Sequence, residues 1–130
     1  MTRELPQKAK DLLDAANIVT VATVNPDGSP QSSLLWATYD GDDVLLSTIE
    51  GRAKHRNFLR DPRVSVLIHD KATPYTYVEV RGSVTMSTEG GDELIQRLSM
   101  AYDGEPFTGD DGKNRVRVVV RLTPEHVVVY

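Results

Sequence analysis

Short runs of β-branched residues, each ended by a turn sequence, constrain this chain more than any other feature. Residues 18–24 form one such run, and the Asn-Pro-Asp-Gly sequence at 25–28 follows it, with proline to preset φ and glycine to accept a positive φ. Residues 30–40 return as a second alternating strand, and a second turn at 40–43 leads into a third strand at 44–48. Strands joined by tight turns pair antiparallel, so this part of the chain predicts a hairpin-connected sheet.

The rest of the chain continues this pattern. Strands are predicted at residues 63–69, 76–86 and 115–122, and residues 127–130 are either a further strand or the second half of a bent one. Gly82 lies inside the predicted fifth strand, where glycine often marks a bulge. Because strands and helices do not alternate, the pattern favours a mainly β (α+β) protein, a six-stranded antiparallel barrel, over a doubly wound sheet.

Three short helices are predicted beside the strands. Residues 4–16 have an amphipathic pattern, and a basic helix begins after Gly51 and ends before Pro62, which cannot continue it. Residues 88–102 form the third helix, which we expect Thr88 to cap. Residues 103–114 are polar and glycine-rich, and we expect a mobile loop there.

Composition limits the function classes. A chain of 130 residues is expected to form one domain, residues 1–130, and a formal net charge of −4 argues against a general nucleic-acid binder. The chain has no cysteine, which excludes disulfides, a thiolate nucleophile and a cysteine zinc site. No apolar run approaches the length of a membrane span, so we expect a cytoplasmic protein.

No side chain stands out as a catalyst. The three histidines, His55, His69 and His126, are far apart and match no metal-ligand spacing, so we expect no metal site. The serines have no histidine close by in sequence, and no nucleotide-binding glycine loop is present. If the chain is an enzyme, a cofactor is therefore expected to supply the reactive group.

A local excess of positive charge follows the third strand. That strand ends in Ser47 and Thr48, and after Gly51 the predicted helix holds four basic residues without an acid between them: Arg52, Lys54, Arg56 and Arg60. Hydroxyls, the free N–H groups of a helix start and clustered cations are what a phosphate group requires. A solvated basic helix face would have the same sequence, and this segment alone leaves both interpretations open.

The second strand offers a surface for a planar ring. Gln31 and Ser33 could form hydrogen bonds to a ring lying along this strand, with Trp36 further on. The alternative is that the serines are ordinary exposed residues and that Trp36 belongs to the core. Tyr77 could border the same cleft, although a strand tyrosine more often packs than binds a ligand.

The order of these features carries a resemblance to a known family. Residues 21–33 read VATVNPDGSPQSS, residues 51–64 read GRAKHRNFLRDPRV, and a VEVRG strand follows at 78–82. In this order the chain resembles the pyridoxamine-5′-phosphate-oxidase-like, flavin-binding split-barrel superfamily. It is most similar to the small branch that uses the deazaflavin coenzyme F420, and the resemblance runs from about residue 8 to residue 128.

The resemblance implies a split β-barrel homodimer with two coenzyme sites at the subunit interface, binding F420 or alternatively FMN. It implies that the coenzyme phosphate meets the basic pair after the third strand and that the ring lies along the second strand, with residues of the partner subunit completing the pocket. The residues at the matching positions are Gln31, Ser32, Ser33, Ser47, Thr48, Arg52, Lys54 and Asn57, with Tyr77 and the region of Arg121 as further candidates.

The expected activity is an F420-dependent oxidoreductase that transfers a hydride between the deazaflavin and a small electron-poor organic substrate. The chain lacks the longer arginine-rich C-terminal segment that holds pyridoxal phosphate in the oxidase itself, which argues against vitamin B6 oxidation. Three alternatives stay open: an FMN-dependent oxidoreductase of the same fold, a non-catalytic coenzyme carrier, and an interaction domain whose basic helix meets an acidic partner.

Overall fold

The computed structural model describes residues 2–130, and its regular structure consists of seven strands and three helices. In chain order the elements are α1 (Gln7–Asp14), β1 (Val19–Val24), β2 (Pro30–Leu35), β3 (Ala37–Asp40), β4 (Asp43–Ile49), α2 (Ala53–Arg60), β5 (Arg63–His69), β6 (Tyr77–Ser87), α3 (Gly91–Tyr102) and β7 (Arg117–Val129).

All seven strands form one antiparallel sheet in the order β2-β1-β5-β6-β7-β4-β3. β2 and β3 lie at opposite edges of this sheet, although Trp36 alone separates them in sequence. Two residues of chain span at most about 7 Å, so the two edges must meet and the sheet must curl into a barrel. Within residues 2–130 no ladder joins β2 to β3, so the barrel is split along that line. The predicted mainly β split-barrel class is confirmed.

The predicted count of six strands is wrong, because the strand predicted at residues 30–40 divides at Trp36. The Ala37 N–H donates to the Tyr102 hydroxyl (3.1 Å), and this hydroxyl lies 2.6 Å from the Asn17 carbonyl oxygen. A side chain of α3 thus replaces a neighbouring strand as the partner of the backbone at this corner. The Trp36 ring stacks on the Tyr102 ring, with 5.5 Å between centroids.

The bulge predicted at Gly82 is confirmed. Arg81 of β6 pairs with His126 of β7 whereas Gly82 pairs with Pro124, so the register shifts between them. A Cβ atom on Gly82 would lie 2.0 Å from the Thr123 carbonyl oxygen, so this approach requires glycine. Because the bulge absorbs the bend, the segments predicted at 115–122 and 127–130 are one continuous strand, β7.

Two helices begin later than predicted. α3 begins at Gly91, and its N-cap is Gly90 with φ +80° rather than Thr88. A Cβ atom on Gly91 would lie 2.2 Å from the Arg117 carbonyl oxygen, so the start of α3 lies directly against β7. α1 begins at Gln7 rather than at residue 4.

The core fills the barrel and continues under α1. Alternate residues of β1 and β5 are buried, whereas β2 has no buried residue, and α1 contributes three buried side chains to the same cluster. The largest fully buried side chains are Leu46, Ile68, Leu98, Leu122, Val19, Val21, Val44, Val66, Val78, Val80, Val118 and Val120. Within the described residues 2–130, the structure contains no helix with the length and apolar character needed to span a membrane.

Candidate functional site

A cleft of about 430 Å³ lies where the end of β4, the start of α2 and the start of β7 meet. Four of its lining residues carry positive side chains and none is acidic, although the chain as a whole has a formal net charge of −4. Such a surface attracts anions. The lining residues are Gln31, Leu35, Ser47, Thr48, Ile49, Arg52, Ala53, Lys54, Phe107, Arg115 and Arg117.

The turn between β4 and α2 brings the first two cations to this cleft. Gly51 adopts φ +87°, and Arg52 is the N-cap of α2 without a side-chain capping bond. The first N–H groups of α2 therefore lack a side-chain partner and carry the positive end of the helix dipole. Arg56 donates to the Gly51 carbonyl oxygen and so fastens the turn.

Lys54 reaches from α2 to β2. Its Nζ lies 2.6 Å from the Ser33 Oγ, so the ammonium group joins the two walls of the cleft. Burial lowers the pKa of Lys54 below its ordinary value, and the nearby charge of Arg52 lowers this pKa further. An anion in the cleft would be attracted by both cations and would reverse that shift.

The predicted ring-binding strand presents two of its three predicted polar side chains on one face. Gln31 and Ser33 are half-buried and alternate with the exposed Ser32, which points to the opposite face of β2. The Gln31 Oε1 lies 3.3 Å from the Thr23 Oγ1 of β1. Ser32 is therefore not brought to the cleft within one chain.

Asn57 lies behind the cleft rather than in its wall. Its side chain is buried, and its Nδ2 donates to the Thr23 Oγ1 (2.9 Å) and to the Asn25 Oδ1 (3.2 Å). Its Oδ1 accepts a hydrogen bond from Arg60 (2.7 Å). These bonds fasten α2 to β1 and to the first turn, so Asn57 positions the helix that carries Arg52 and Lys54.

Tyr77 and Arg121 do not line the cleft of their own chain. The Tyr77 ring stacks on the Tyr130 ring, with 4.7 Å between centroids. Arg121 forms ion pairs with Asp43 (3.0 Å) and Asp40 (3.2 Å). A contact of either residue with a coenzyme would have to come from a partner subunit and stays a prediction.

Sequence reasoning missed a second pair of cations, Arg115 and Arg117. The Arg117 Nε and Nη2 lie 2.6 and 3.0 Å from the two carboxylate oxygens of Asp110, and Arg115 contacts the same carboxylate at 3.2 Å. The hydrogen bond from Arg117 lowers the pKa of Asp110, and the bond from Arg115 adds to this effect. The Arg117 guanidinium also lies over the Phe107 ring, 5.0 Å from its centroid.

The segment that was expected to be a mobile loop, residues 103–114, supplies these contacts and is fastened to α3. Gln96 exchanges two hydrogen bonds of 2.9 Å with the Phe107 backbone, and the Ser99 Oγ donates to the Glu105 carbonyl oxygen (2.7 Å). One signal in the sequence could have indicated the second pair. Arg115 and Arg117 are two residues apart at the start of the strand predicted at residues 115–122, and this spacing would place them on one face.

These features define the class of the site. Cations from two separate parts of the chain, hydroxyls and the start of α2 surround one cleft, and Gln31 and Leu35 of β2 form part of its lining. The site is an anion-binding cleft beside a surface that can support a planar group.

The comparisons with known proteins give the family. The family model described as pyridoxamine 5'-phosphate oxidase matches residues 5–129, which is nearly the whole chain. The chain therefore belongs to the pyridoxamine 5'-phosphate oxidase family. The predicted superfamily is confirmed.

Two solved structures are similar over most of their length. A structure named F420 reductase is 30% identical, with a TM-score of 0.83, and the match covers 95% of this chain and 98% of that one. A conserved hypothetical protein of Mycobacterium tuberculosis is 26% identical, with a TM-score of 0.76 and coverage of 97% and 84%. Together with the family, these matches support an oxidoreductase-like protein of the flavin- or deazaflavin-binding class.

A curated relative in sequence comes from Schizosaccharomyces pombe, the pyridoxamine 5'-phosphate oxidase C1952.08c homolog. It is 34% identical over 82 aligned positions, which cover 55% of this chain and 43% of the relative. The match thus spans less than half the length of that relative.

Proposed function

We propose that this chain is a coenzyme F420-dependent oxidoreductase, which transfers a hydride between the deazaflavin and a small electron-poor organic substrate. The observation that carries the proposal is the cleft with four cations and no acid in its lining, next to β2. The full-length likeness to a structure named F420 reductase supports the choice of coenzyme.

The described residues fit the phosphate end of such a coenzyme. Arg52, Lys54 and the free N–H groups at the start of α2 would hold the phosphate, with Ser47 and Thr48 at the edge of the same cleft. The phosphate would replace the Ser33 hydroxyl as the main partner of the Lys54 ammonium.

The ring would lie along residues 31–35 of β2, where Gln31 and Ser33 offer polar partners on the cleft face. Bound in this way, the coenzyme would supply the hydride-carrying ring carbon C5, or N5 in FMN. The chain would contribute position and charge, and β2 would exclude water from one ring face.

FMN is the alternative coenzyme, because it carries a phosphate that the same cations could bind. A non-catalytic flavin or deazaflavin carrier is the second alternative, since the binding residues of a carrier and of an enzyme would look alike. The proposal includes a homodimer with the sites at the subunit interface, in which Tyr77 would come from the partner, and a cytoplasmic location.

Titration of the purified chain with F420 and with FMN tests the proposal. We expect F420 to bind far more tightly than about 1 mM, an affinity that corresponds to roughly 4 kcal/mol. A charge-assisted phosphate contact contributes on the order of 1.5–3 kcal/mol, so Arg52→Ala or Lys54→Ala should weaken binding by roughly tenfold to a hundredfold, and by less at high salt. Failure of both coenzymes to bind below about 1 mM would contradict the proposal.

Arg63→Ala is the matched control for these variants. It also removes one positive charge, but its side chain is exposed and pairs with Asp61 (2.7 Å) outside the cleft. An equal loss of coenzyme affinity in Arg63→Ala would show that net charge, rather than the cleft, determines binding.

Stopped-flow oxidation of the bound reduced coenzyme by a panel of enones, quinones and nitro compounds separates an enzyme from a carrier. Faster oxidation than that of the free reduced coenzyme is expected for the proposed enzyme. Equal or slower oxidation with every acceptor would favour the carrier.

A further inference from the structure

A second cavity, of about 280 Å³, adjoins the cationic cleft at the split of the barrel. The two cavities share part of their walls, Leu35, Ser47, Phe107 and Arg117. Unlike the cleft, the second cavity is mainly apolar, and Arg117 is the one charged residue in its lining. Its remaining wall is formed by Ile18, Leu34, Trp36, Ile95 and Leu98.

Arg117 is held by two partners, Asp110 and Phe107. The Asp110 carboxylate takes its Nε and one N–H of Nη2, and the Phe107 ring lies against its guanidinium plane. The side chain is only 9% exposed. A guanidinium fixed in this way loses little conformational freedom when it binds a ligand.

The hydrogen-bonding capacity of Arg117 is not fully used. A guanidinium has five N–H donors. Two hydrogen bonds go to Asp110, and among the described residues one further, long bond of 3.4 Å runs from Nη1 to the Ser47 Oγ, so one N–H on Nη1 and one on Nη2 have no partner there. Because Arg117 and Ser47 both line the two cavities, this guanidinium lies at their junction.

We propose that the apolar cavity is the substrate subsite and that Arg117 is its polar anchor, binding the acceptor oxygen of a flat apolar molecule with a conjugated carbonyl group. Asp110 is the positioning residue that holds Arg117. That the bound molecule is a substrate rests on the proposed oxidoreductase function. The binding site itself is inferred from the two cavities and from Arg117.

Reduction of a conjugated carbonyl compound would be favoured by a hydrogen-bond donor such as Arg117 at the carbonyl oxygen. A reduced deazaflavin bound beside the subsite would supply a hydride and would itself be oxidised. On addition of that hydride to the β-carbon of a conjugated carbonyl compound, the C=C π bond would break and negative charge would move to the oxygen. A proton from water would then add to the α-carbon and complete the two-electron reduction. A guanidinium at that oxygen is more favourable for the charged state than for the starting carbonyl, particularly in a site with little water.

Binding of two matched probes to the full chain without coenzyme tests the subsite. One is 2-acetylnaphthalene, and the other is 2-isopropenylnaphthalene, which has a methylene group in place of the carbonyl oxygen. The chain has a single tryptophan, Trp36, so its indole N–H gives one signal from the cavity wall in a ¹H–¹⁵N spectrum. We expect both probes to shift this signal, with the ketone binding about tenfold more tightly.

Variants then identify the anchor. Arg117→Gln should remove the preference for the ketone, so that the two probes bind with similar affinity, and Asp110→Asn should reduce the same preference. Arg63→Gln is the control, because Arg63 is exposed and pairs with Asp61 outside both cavities. Its preference for the ketone should equal that of the unsubstituted chain.

The comparison of the two probes in the unsubstituted chain tests the subsite even if a variant fails to fold. Equal affinities, or no shift of the Trp36 signal with either probe, would overturn the subsite. A ketone preference that persists in folded Arg117→Gln would overturn the anchor. Ketone preference in a chain that binds neither coenzyme would leave the subsite standing and contradict the proposed function instead.

Discussion

The cationic residues of the cleft differ in the groups that contact their charged ends. Arg117 has a carboxylate partner, Asp110, whereas among the described residues Lys54 has the Ser33 hydroxyl and a neighbouring cation. Lys54 therefore has more to gain than Arg117 from an incoming phosphate. This difference makes its protonation a probe of coenzyme binding.

Coenzyme affinity should fall as the pH rises through the pKa of Lys54 in the free protein. Burial and Arg52 place that pKa below the ordinary value of 10.5, and a bound phosphate would raise it. Between the two values binding requires uptake of a proton, so the affinity should decrease by up to about tenfold per pH unit, whereas below both values it should not depend on Lys54. Isothermal titration at a series of alkaline pH values measures this decline.

Lys54→Arg is the control for this pH dependence, because a guanidinium stays charged throughout the range. The alkaline decline should be smaller in Lys54→Arg than in the unsubstituted chain. The same decline in both proteins would assign the proton to another group.

The sequence could predict those site residues whose role depends on their neighbours along the chain. Arg52 and Lys54 lie in a run of cations next to a glycine turn, and this pattern is visible in one short segment. Arg117 and Asp110 were not found, because their importance depends on how an irregular segment folds against α3. For Asn57, sequence and resemblance gave the position but not the role, since its partners belong to β1 and the first turn.

Among the elements, strands with a clear alternating pattern were predictable almost to the residue. β5 has the predicted bounds, and the register shift between β6 and β7 lies at the predicted glycine. The corner between β2 and β3 was not predictable, since alternation continues through Trp36 and the group that replaces the ladder is a distant side chain, Tyr102. The start of α3 was displaced because Gly91 lies directly against Arg117 of β7, a tertiary contact.

Loss of the Tyr102 hydroxyl should destabilise this corner. In Tyr102→Phe the buried Ala37 N–H would lose its partner, which costs on the order of 1–3 kcal/mol in the free energy of unfolding. Chemical denaturation measures this loss. Tyr39→Phe is the control, since the Tyr39 hydroxyl contacts Asp14 at the surface (3.0 Å), and its loss should cost less.

If the two variants were equally stable, the hydroxyl of Tyr102 would not be what holds the corner. In that case the stacking of Trp36 on the Tyr102 ring, which both proteins retain, would be the contact that matters.

The whole molecule exposes apolar side chains where β7 ends. Val129 and Tyr130 are 50% and 64% exposed, and Tyr130 stacks on Tyr77. Exposed apolar residues that cluster in this way are typical of protein interfaces. The proposed homodimer would bury them and would bring Tyr77 towards the partner.

Val129→Asp should therefore shift the chain from dimer to monomer and weaken coenzyme binding together, because the proposed sites lie at the interface. Sedimentation equilibrium should give twice the mass of the 130-residue chain for the unsubstituted protein and the mass of one chain for Val129→Asp. Glu125→Asp is a conservative control on the same strand. A monomeric unsubstituted chain that binds coenzyme at full affinity would contradict the dimeric site.

Because β2 and β3 meet only at Trp36, the order in which the chain connects the strands could be changed at this corner. A peptide bond cut at this corner interrupts none of the described ladders, and Lys8 contacts the Tyr130 carbonyl oxygen, so residues 8 and 130 lie close together. A circular permutant that begins at Ala37 and connects residue 130 to the segment before Lys8 through a short linker would keep every described strand pairing of the barrel. The continuity of the backbone at the corner is thus dispensable for the topology, whereas the continuity of the six ladders is not.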